Sequence, residues 1–211
     1  MTKSNLQLLK NYFPSITTKQ LDLYDQAVLL YIEWNDKINV VSRKDIDLVV
    51  ERHILHSLAI GKFVSFNKGA SILDIGTGGG FPGIPLAILF PDVHFHLIDA
   101  IGKKITVVNE ICKELKLDNV IAEQKRAERI KEKYDFVTCR AVARLNKLTP
   151  WIKNNIKTQS NHALLNGLLT LKGGDLTEEI EEIPQKVTTY ELTEVYEESF
   201  FQTKKMLHVV F

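Results

Sequence analysis

The sequence predicts an α/β fold: a mostly parallel sheet covered by helices, preceded by a helical N-terminal extension. Three observations carry this expectation. From Ser71 onward, short β-branched runs alternate with amphipathic ones, the pattern of βαβ units around a parallel sheet. The first of these runs leads into "LDIGTGGGFPGIP", Leu73 to Pro85, which reads as a strand-to-helix turn with Pro82 in the first turn of the helix. Before Ser71, apolar residues recur at helical spacing.

Taken in chain order, "TTKQ" from Thr17 to Gln20 fits a capping box after Pro14, and the stripe Tyr24, Ala27, Leu30, Trp34, Ile38 fits one helix face. A second helix is expected from Asp45 to Phe63. Strands are expected near 71–75, 94–98, 119–123, 134–139 and 164–171, with helices over Pro82–Phe90, Ile101–Leu115, Arg144–Lys157 and Leu176–Glu182. Two further strand-like runs, Lys186–Val195 and Thr203–Val210, follow with no helix between them. They are expected to form an antiparallel pair at the end of the sheet, bringing the strand count to seven. The predicted organisation is residues 1–68 as the extension and residues 69–211 as the α/β core.

Composition bounds the function. With 211 residues and 45% hydrophobic content, the chain has ample material for a buried core. It has no apolar run long enough to span a bilayer, and "MTKSNLQLLKNYFP" lacks the continuous apolar segment of a signal peptide, so a cytoplasmic location without membrane contact is expected. Cys112 and Cys139 match no metal-ligand spacing and no disulfide scaffold, so no metal is expected. The net charge of +1 conceals a segregation: residues 71–172 carry 15 basic and 10 acidic groups, residues 173–211 carry 3 and 9. A basic middle behind an acidic tail suits a polyanion meeting one face, although folding can intermix the charges.

The glycine turn fits two cofactor patterns. Gly78, Gly80 and Gly83 match the dinucleotide spacing G-x-G-x-x-G, whereas Gly76, Gly78 and Gly80, with Asp74 two residues upstream, match the G-x-G-x-G turn of methyltransferases. Charge favours the second pattern. A dinucleotide places a pyrophosphate at this turn, where the Asp74 carboxylate repels it, while S-adenosyl-L-methionine brings an amino group and a sulfonium and no phosphate. Asp99 ends the second strand, "VHFHLID", where a carboxylate can accept hydrogen bonds from both ribose hydroxyls of either cofactor.

Beyond the turn, "LDIGTGGGFPGIPLAI", "LIDAIGKK", "CRAVARL", "LLTLKGG", "WNDKIN" and "ERHILHSLAI" together resemble the RsmG (GidB, glucose-inhibited division protein B) family. The resemblance extends in order from about Trp34 to Gly174. It implies a Rossmann-like class I S-adenosylmethionine-dependent methyltransferase with a seven-stranded sheet, acting on the 7-nitrogen of a guanine in small-subunit (16S) ribosomal RNA. It also implies cofactor contacts at Gly76, Phe81, Asp99, the Ala127–Glu128 pair in "KRAERI", and Arg140. Two departures stand out: His56 replaces the family's usual aspartate, and "INVVS" replaces its usual "NLT". The expected partner is small-subunit ribosomal RNA or an assembling subunit, met by a monomer. The alternative acceptors are another RNA base, a small molecule or a protein.

The guanine 7-nitrogen offers an in-plane lone pair and no proton, so alignment rather than a general base is the enzyme's task, and no catalytic residue is expected. Cys139, at the end of the fourth strand, has a rival reading as a nucleophile, but its neighbours lack the proline or paired cysteine that would support one. Cys112 falls on the apolar stripe of its helix. Arg144 and Lys172 lie at the expected ligand end of the sheet and are assigned to RNA phosphate, with a surface ion pair and a solvated lysine as the competing readings. Arg52 and His53 form the family-like "RH" and are read as RNA contacts or, for the histidine, helix packing.

Overall fold

Strands β1 (Ser71–Ile75), β2 (His94–Asp99), β3 (Val120–Gln124), β4 (Phe136–Arg140), β5 (Gly167–Gly173), β6 (Lys186–Glu191) and β7 (Lys204–Val210) form one sheet in the computed structural model, which describes residues 3–42 and 44–211. The order is β3-β2-β1-β4-β5-β7-β6. The first five are parallel, and β7 runs antiparallel between β5 and β6, as the two terminal runs without a helix between them imply. Helices α1 (Lys3–Tyr12), α2 (Thr18–Lys37) and α3 (His56–Phe63) make the extension; α4 (Gly83–Leu89), α5 (Gly102–Glu114), α6 (Leu145–Ile152) and α7 (Thr177–Glu181) connect the strands.

Period-two alternation divides the core. Ile72, Phe95, Phe136 and Leu169 face the extension and helices α3 to α5, while Leu73, Ile98, Val137 and Leu168 face α6 and α7. Both faces are covered, so the parallel strands are apolar almost throughout. The extension is fixed to α4 by polar as well as apolar contacts. Thr17 and Gln20 form the predicted capping box, and the Gln20 amide also donates to the carbonyls of Ile88 (2.9 Å) and Leu89 (3.0 Å) at the end of α4. The buried Tyr24 hydroxyl donates to the Pro85 carbonyl at 2.8 Å. The buried face of α2 is Leu21, Tyr24, Ala27, Val28 and Tyr31, so Leu30 and Trp34 stand at its margin rather than in its centre.

Strands β4 and β5 begin two and three residues later than expected, and three other boundaries differ, each for a local reason. The segment 45–63 is a 3-10 turn (Ile46–Leu48), a wide π-helical turn (Val50–Leu55) and then α3, because Arg52 and His53 turn toward partners on other elements. Helix α6 stops at Ile152 instead of Lys157. There the chain is drawn into pairing with Tyr134, whose N–H donates to the Asn155 carbonyl and whose carbonyl accepts from the Lys157 N–H. Strand β6 ends at Glu191, where a 3-10 turn (Leu192–Glu194) begins.

Candidate functional site

The strand order reverses between β1 and β4, and the helices following these strands cover opposite faces, leaving a crevice at the carboxyl ends. A cavity of about 450 Å3 opens there, within the range of small-molecule pockets. Its walls are the glycine turn, the end of β2, the 3-10 turn Ala127–Arg129 and the segment after β4. Gly76, Gly78, Phe81, Asp99, Ala127, Glu128 and Arg140 all border it. The sequence-predicted cofactor residues therefore converge, with two exceptions.

Asp74 is the first exception. It is fully buried beneath the turn: its Oδ2 accepts from the Thr77 hydroxyl (2.6 Å) and the Gly83 N–H (3.0 Å), and its Oδ1 accepts from the Thr138 hydroxyl (3.1 Å). The predicted contact with the ligand gives way to a bracing role, since the carboxylate spends its lone pairs on the backbone that shapes the turn. Burial raises its pKa to about 7 against the lowering effect of these donors and of Arg140. Gly80 is the second. A Cβ there would strike Ile84 and approach the Tyr31 hydroxyl, so Gly80 serves the packing of the turn on α4 and not the cavity wall.

At the end of β2, the Asp99 carboxylate accepts from the Gly78 N–H (2.9 Å, Oδ2) and the Ile101 N–H (2.8 Å, Oδ1). Each oxygen keeps further acceptor capacity, and Asp99 borders the cavity. Gly76 and Gly78 adopt φ of +62° and +60°, which glycine reaches without penalty. A Cβ on Gly76 would lie 2.7 Å from Val142, whereas one on Gly78 would meet no protein atom closer than 4.0 Å. The position at Gly78 is open on the cavity side.

Across the turn, Arg140 is half-buried and lies with its guanidinium 5.0 Å from the centre of the Phe81 ring, which itself stacks on Tyr31 at 4.6 Å. Its donors reach the Arg52 carbonyl (3.2 Å) and His53 Nδ1 (2.7 Å), both neutral acceptors, and it makes no ion pair among the described residues. Burial lowers its pKa to about 10, so it remains a cation. His53, lowered to about 3 by burial and by Arg140, stays neutral and accepts from the guanidinium. This corrects the RNA assignment of His53: its ring is spent on holding Arg140. His56 is buried edge-on against Phe200 (5.5 Å) and Phe201 (6.1 Å), and burial followed by the charge of Arg140 keeps it neutral too.

The other cations assigned to RNA are already engaged. Lys172, nearly buried, pairs with Glu179 at 2.7 Å and donates to the Ala143 carbonyl at 2.8 Å, which corrects its phosphate assignment. Arg144 forks onto Glu182 (2.5 and 3.2 Å), and Arg52 pairs with Asp45 at 2.5 Å, so the ion-pair reading holds for Arg144. The acidic tail that looks separate in the sequence folds back onto Arg144 and Lys172.

Cys139 is fully buried, donates to the Thr170 hydroxyl at 3.1 Å, and has its thiol pushed up to about 12 by burial. A thiol so protonated is no nucleophile. Cys139→Ala should retain turnover within about threefold while lowering stability by about 1 kcal/mol. A loss of turnover with the fold intact, measured by initial rates beside thermal melts, would reinstate the nucleophile.

Sequence reasoning missed several residues of the wall. Val40 reaches the cavity because the Asn35 side chain accepts from the N–H groups of Val40 and Val41 (2.9 Å each), folding the "INVVS" segment over Gly79. The "WNDKIN" motif held this signal, but its partners lie in the tertiary fold. Trp151, Lys104, Val142 and Ala141, the last with φ of +53°, also border the cavity.

The family model described as rRNA small subunit methyltransferase G matches residues 17–208. A ribosomal RNA small subunit methyltransferase G from Flavobacterium johnsoniae is 53% identical over 203 residues, covering 96% of each chain. Among solved structures, a precorrin-6y C5,15-methyltransferase from Geobacter metallireducens superposes with a TM-score of 0.57 at 11% identity, covering 82% of this chain and 91% of its own. A SAM-dependent methyltransferase from Aquifex aeolicus gives 0.54 at 17% identity, covering 72% and 88%. These two likenesses extend the observed sheet order to a Rossmann-like fold.

Proposed function

The chain belongs to the GidB family, rRNA small subunit methyltransferase G, and from that premise we propose that its cleft methylates the 7-nitrogen of a guanine in small-subunit (16S) ribosomal RNA. The methyl donor is S-adenosylmethionine. The observation that carries the reading is the pairing of Asp99 and Arg140 on either side of an open glycine turn, in a cavity of suitable size. Asp99 is assigned to the ribose hydroxyls, because its oxygens are held in place by two backbone donors and keep acceptor capacity. Arg140, a half-buried cation whose hydrogen-bond acceptors are neutral, is assigned to the carboxylate of the cofactor's amino-acid end. Ala127 and Glu128, on the cavity wall, are assigned to the adenosine side.

When bound, the cofactor supplies an electrophilic methyl group on a sulfonium. Because the guanine 7-nitrogen already carries a free lone pair, the chain's residues need not move a proton. The chain's contribution is to align the two and exclude water, with Phe81, Val40 and Val142 supplying apolar wall and the glycine turn permitting close approach. None of the cavity's titratable groups has to act as a base.

The reading includes a monomeric, cytoplasmic enzyme acting on naked RNA or on an assembling subunit. Of the exposed large apolar side chains, Leu29 and Ile32 share helix α2 while Ile121 and Leu165 lie elsewhere, and among the described residues no helix is long and apolar enough to cross a membrane. Methyl transfer from radiolabelled S-adenosylmethionine to small-subunit RNA from a strain lacking the enzyme tests the reading. Labelled 7-methylguanosine is the expected product. Label on another nucleoside, or none on RNA or assembling subunits with cofactor binding intact, would redirect the site to a different base, a small molecule or a protein.

A further inference from the structure

The cofactor cavity continues into a smaller cleft of about 170 Å3 lined by Ala100, Gln124, Lys125, Arg126 and Arg129. Three of its five lining residues are cationic and none is acidic. Glu123 (3.6 Å) and Glu132 (4.0 Å) both reach toward Lys125, but Arg126 and Arg129, both exposed, make no ion pair among the described residues. Lys125 and Arg126 also border the larger cavity, as does Glu128, which lies between the two arginines in sequence; Arg129 lines the smaller cleft alone. Lys103, also exposed, stands close by at the start of α5, where Gly102 abuts the Gln124 side chain.

The opposite rim has the reverse character. Arg144 and Lys172, the cations beyond β4, are neutralised by Glu182 and Glu179 of the acidic tail. Uncompensated positive charge at the cleft is thus concentrated on the β2–β3 side. The cofactor offers no phosphate and a single carboxylate, for which Arg140 is already available, so it does not account for Arg126 and Arg129.

We propose that the Lys125–Arg126–Arg129 cleft is a binding site for a phosphodiester of the RNA substrate, and that the strand enters the active site across the ends of β2 and β3. The proposal rests on the functional reading above. Arginine forks at the mouth of a cleft suit a phosphate bidentately, and a contact beside the cavity fixes the strand's register while the target base reaches the methyl group.

The test is the salt dependence of binding to a small-subunit RNA fragment, for wild type, Arg126→Gln/Arg129→Gln and Arg144→Gln, with cofactor affinity measured calorimetrically in parallel. The double variant is expected to bind RNA more weakly and to lose about 0.7 from the slope of log affinity against log salt, the value for one single-strand phosphate contact. Arg144→Gln should leave the slope unchanged. An unchanged slope in the double variant, an equal fall in Arg144→Gln, or a loss of cofactor affinity with RNA binding intact each overturns the proposed entry side. Failure of the wild-type chain to bind RNA at all would overturn the functional reading itself, whereas wild-type binding with a variant slope unchanged overturns the phosphate site alone.

Discussion

Gly78→Asp is expected to lower S-adenosylmethionine affinity by at least about a hundredfold, because a charge and a side chain enter the space that the ligand needs. The position is left-handed, with φ of +60°, and aspartate tolerates that region better than branched residues, so the backbone penalty is about 1 kcal/mol. No protein atom lies within 4.0 Å of the added Cβ, and Gly78 borders the cavity, so the new carboxylate projects into it. There it faces Asp99, whose Oδ2 accepts from the Gly78 N–H. Like charges at this range repel, and the ribose hydroxyls lose their place. Calorimetric titration with the cofactor, beside a thermal melt, separates the two effects. Near-wild-type affinity would show that the glycine turn is not the cofactor's floor, and a collapsed melt would show that Gly78 serves the fold instead.

The sheet was legible in the sequence because its signals are local. β-branched runs of strand length, the capping box at Thr17 and the absence of a helix between β6 and β7 each predict an observed feature. The convergence of Gly76, Gly78 and Asp99 was legible for the same reason, since turn and strand ends fix their positions within a βαβ unit, whereas Phe81 was implied by the family resemblance alone. What stayed hidden depends on contacts distant in sequence. Nothing in "LLTLKGG" reveals that α7 brings Glu179 to Lys172, and nothing in "ERHILHS" reveals that a π-helical turn presents His53 to Arg140. The charge segregation misled in the same way: the acidic tail disarms the cations nearest to it and leaves those on the far rim free. A carboxylate before a glycine turn could serve the ligand or the turn, and only its burial distinguishes the two.

That distinction makes Asp74 the second large effect. Asp74→Ala leaves the Gly83 N–H and the Thr77 and Thr138 hydroxyls without their buried acceptor, at a cost of about 2–4 kcal/mol, and the loosened turn should lose cofactor affinity as well. Asp74→Asn is the informative partner. Its carbonyl oxygen can accept from Thr77 and Gly83 while its amide donates to the Thr138 hydroxyl, so the brace survives without the charge. If Asp74 acts as a brace, the asparagine variant should keep cofactor affinity within about threefold; attraction between its charge and the ligand's sulfonium would instead make the loss tenfold or more, about 1.4 kcal/mol. The pH dependence of stability gives an independent check. Burial raises the folded-state pKa of Asp74 from 3.8 to about 7, so between these values the folded chain holds more protons than the unfolded one. Its contribution to stability is therefore greatest at and below pH 4 and declines as the pH rises toward 7, by up to about 4 kcal/mol. Denaturant titrations across that range should show the decline in wild type and a flatter profile in Asp74→Asn. Parallel profiles would mean that the carboxylate titrates near its ordinary value, with its three donors outweighing burial, and the brace would then be an ionised one throughout.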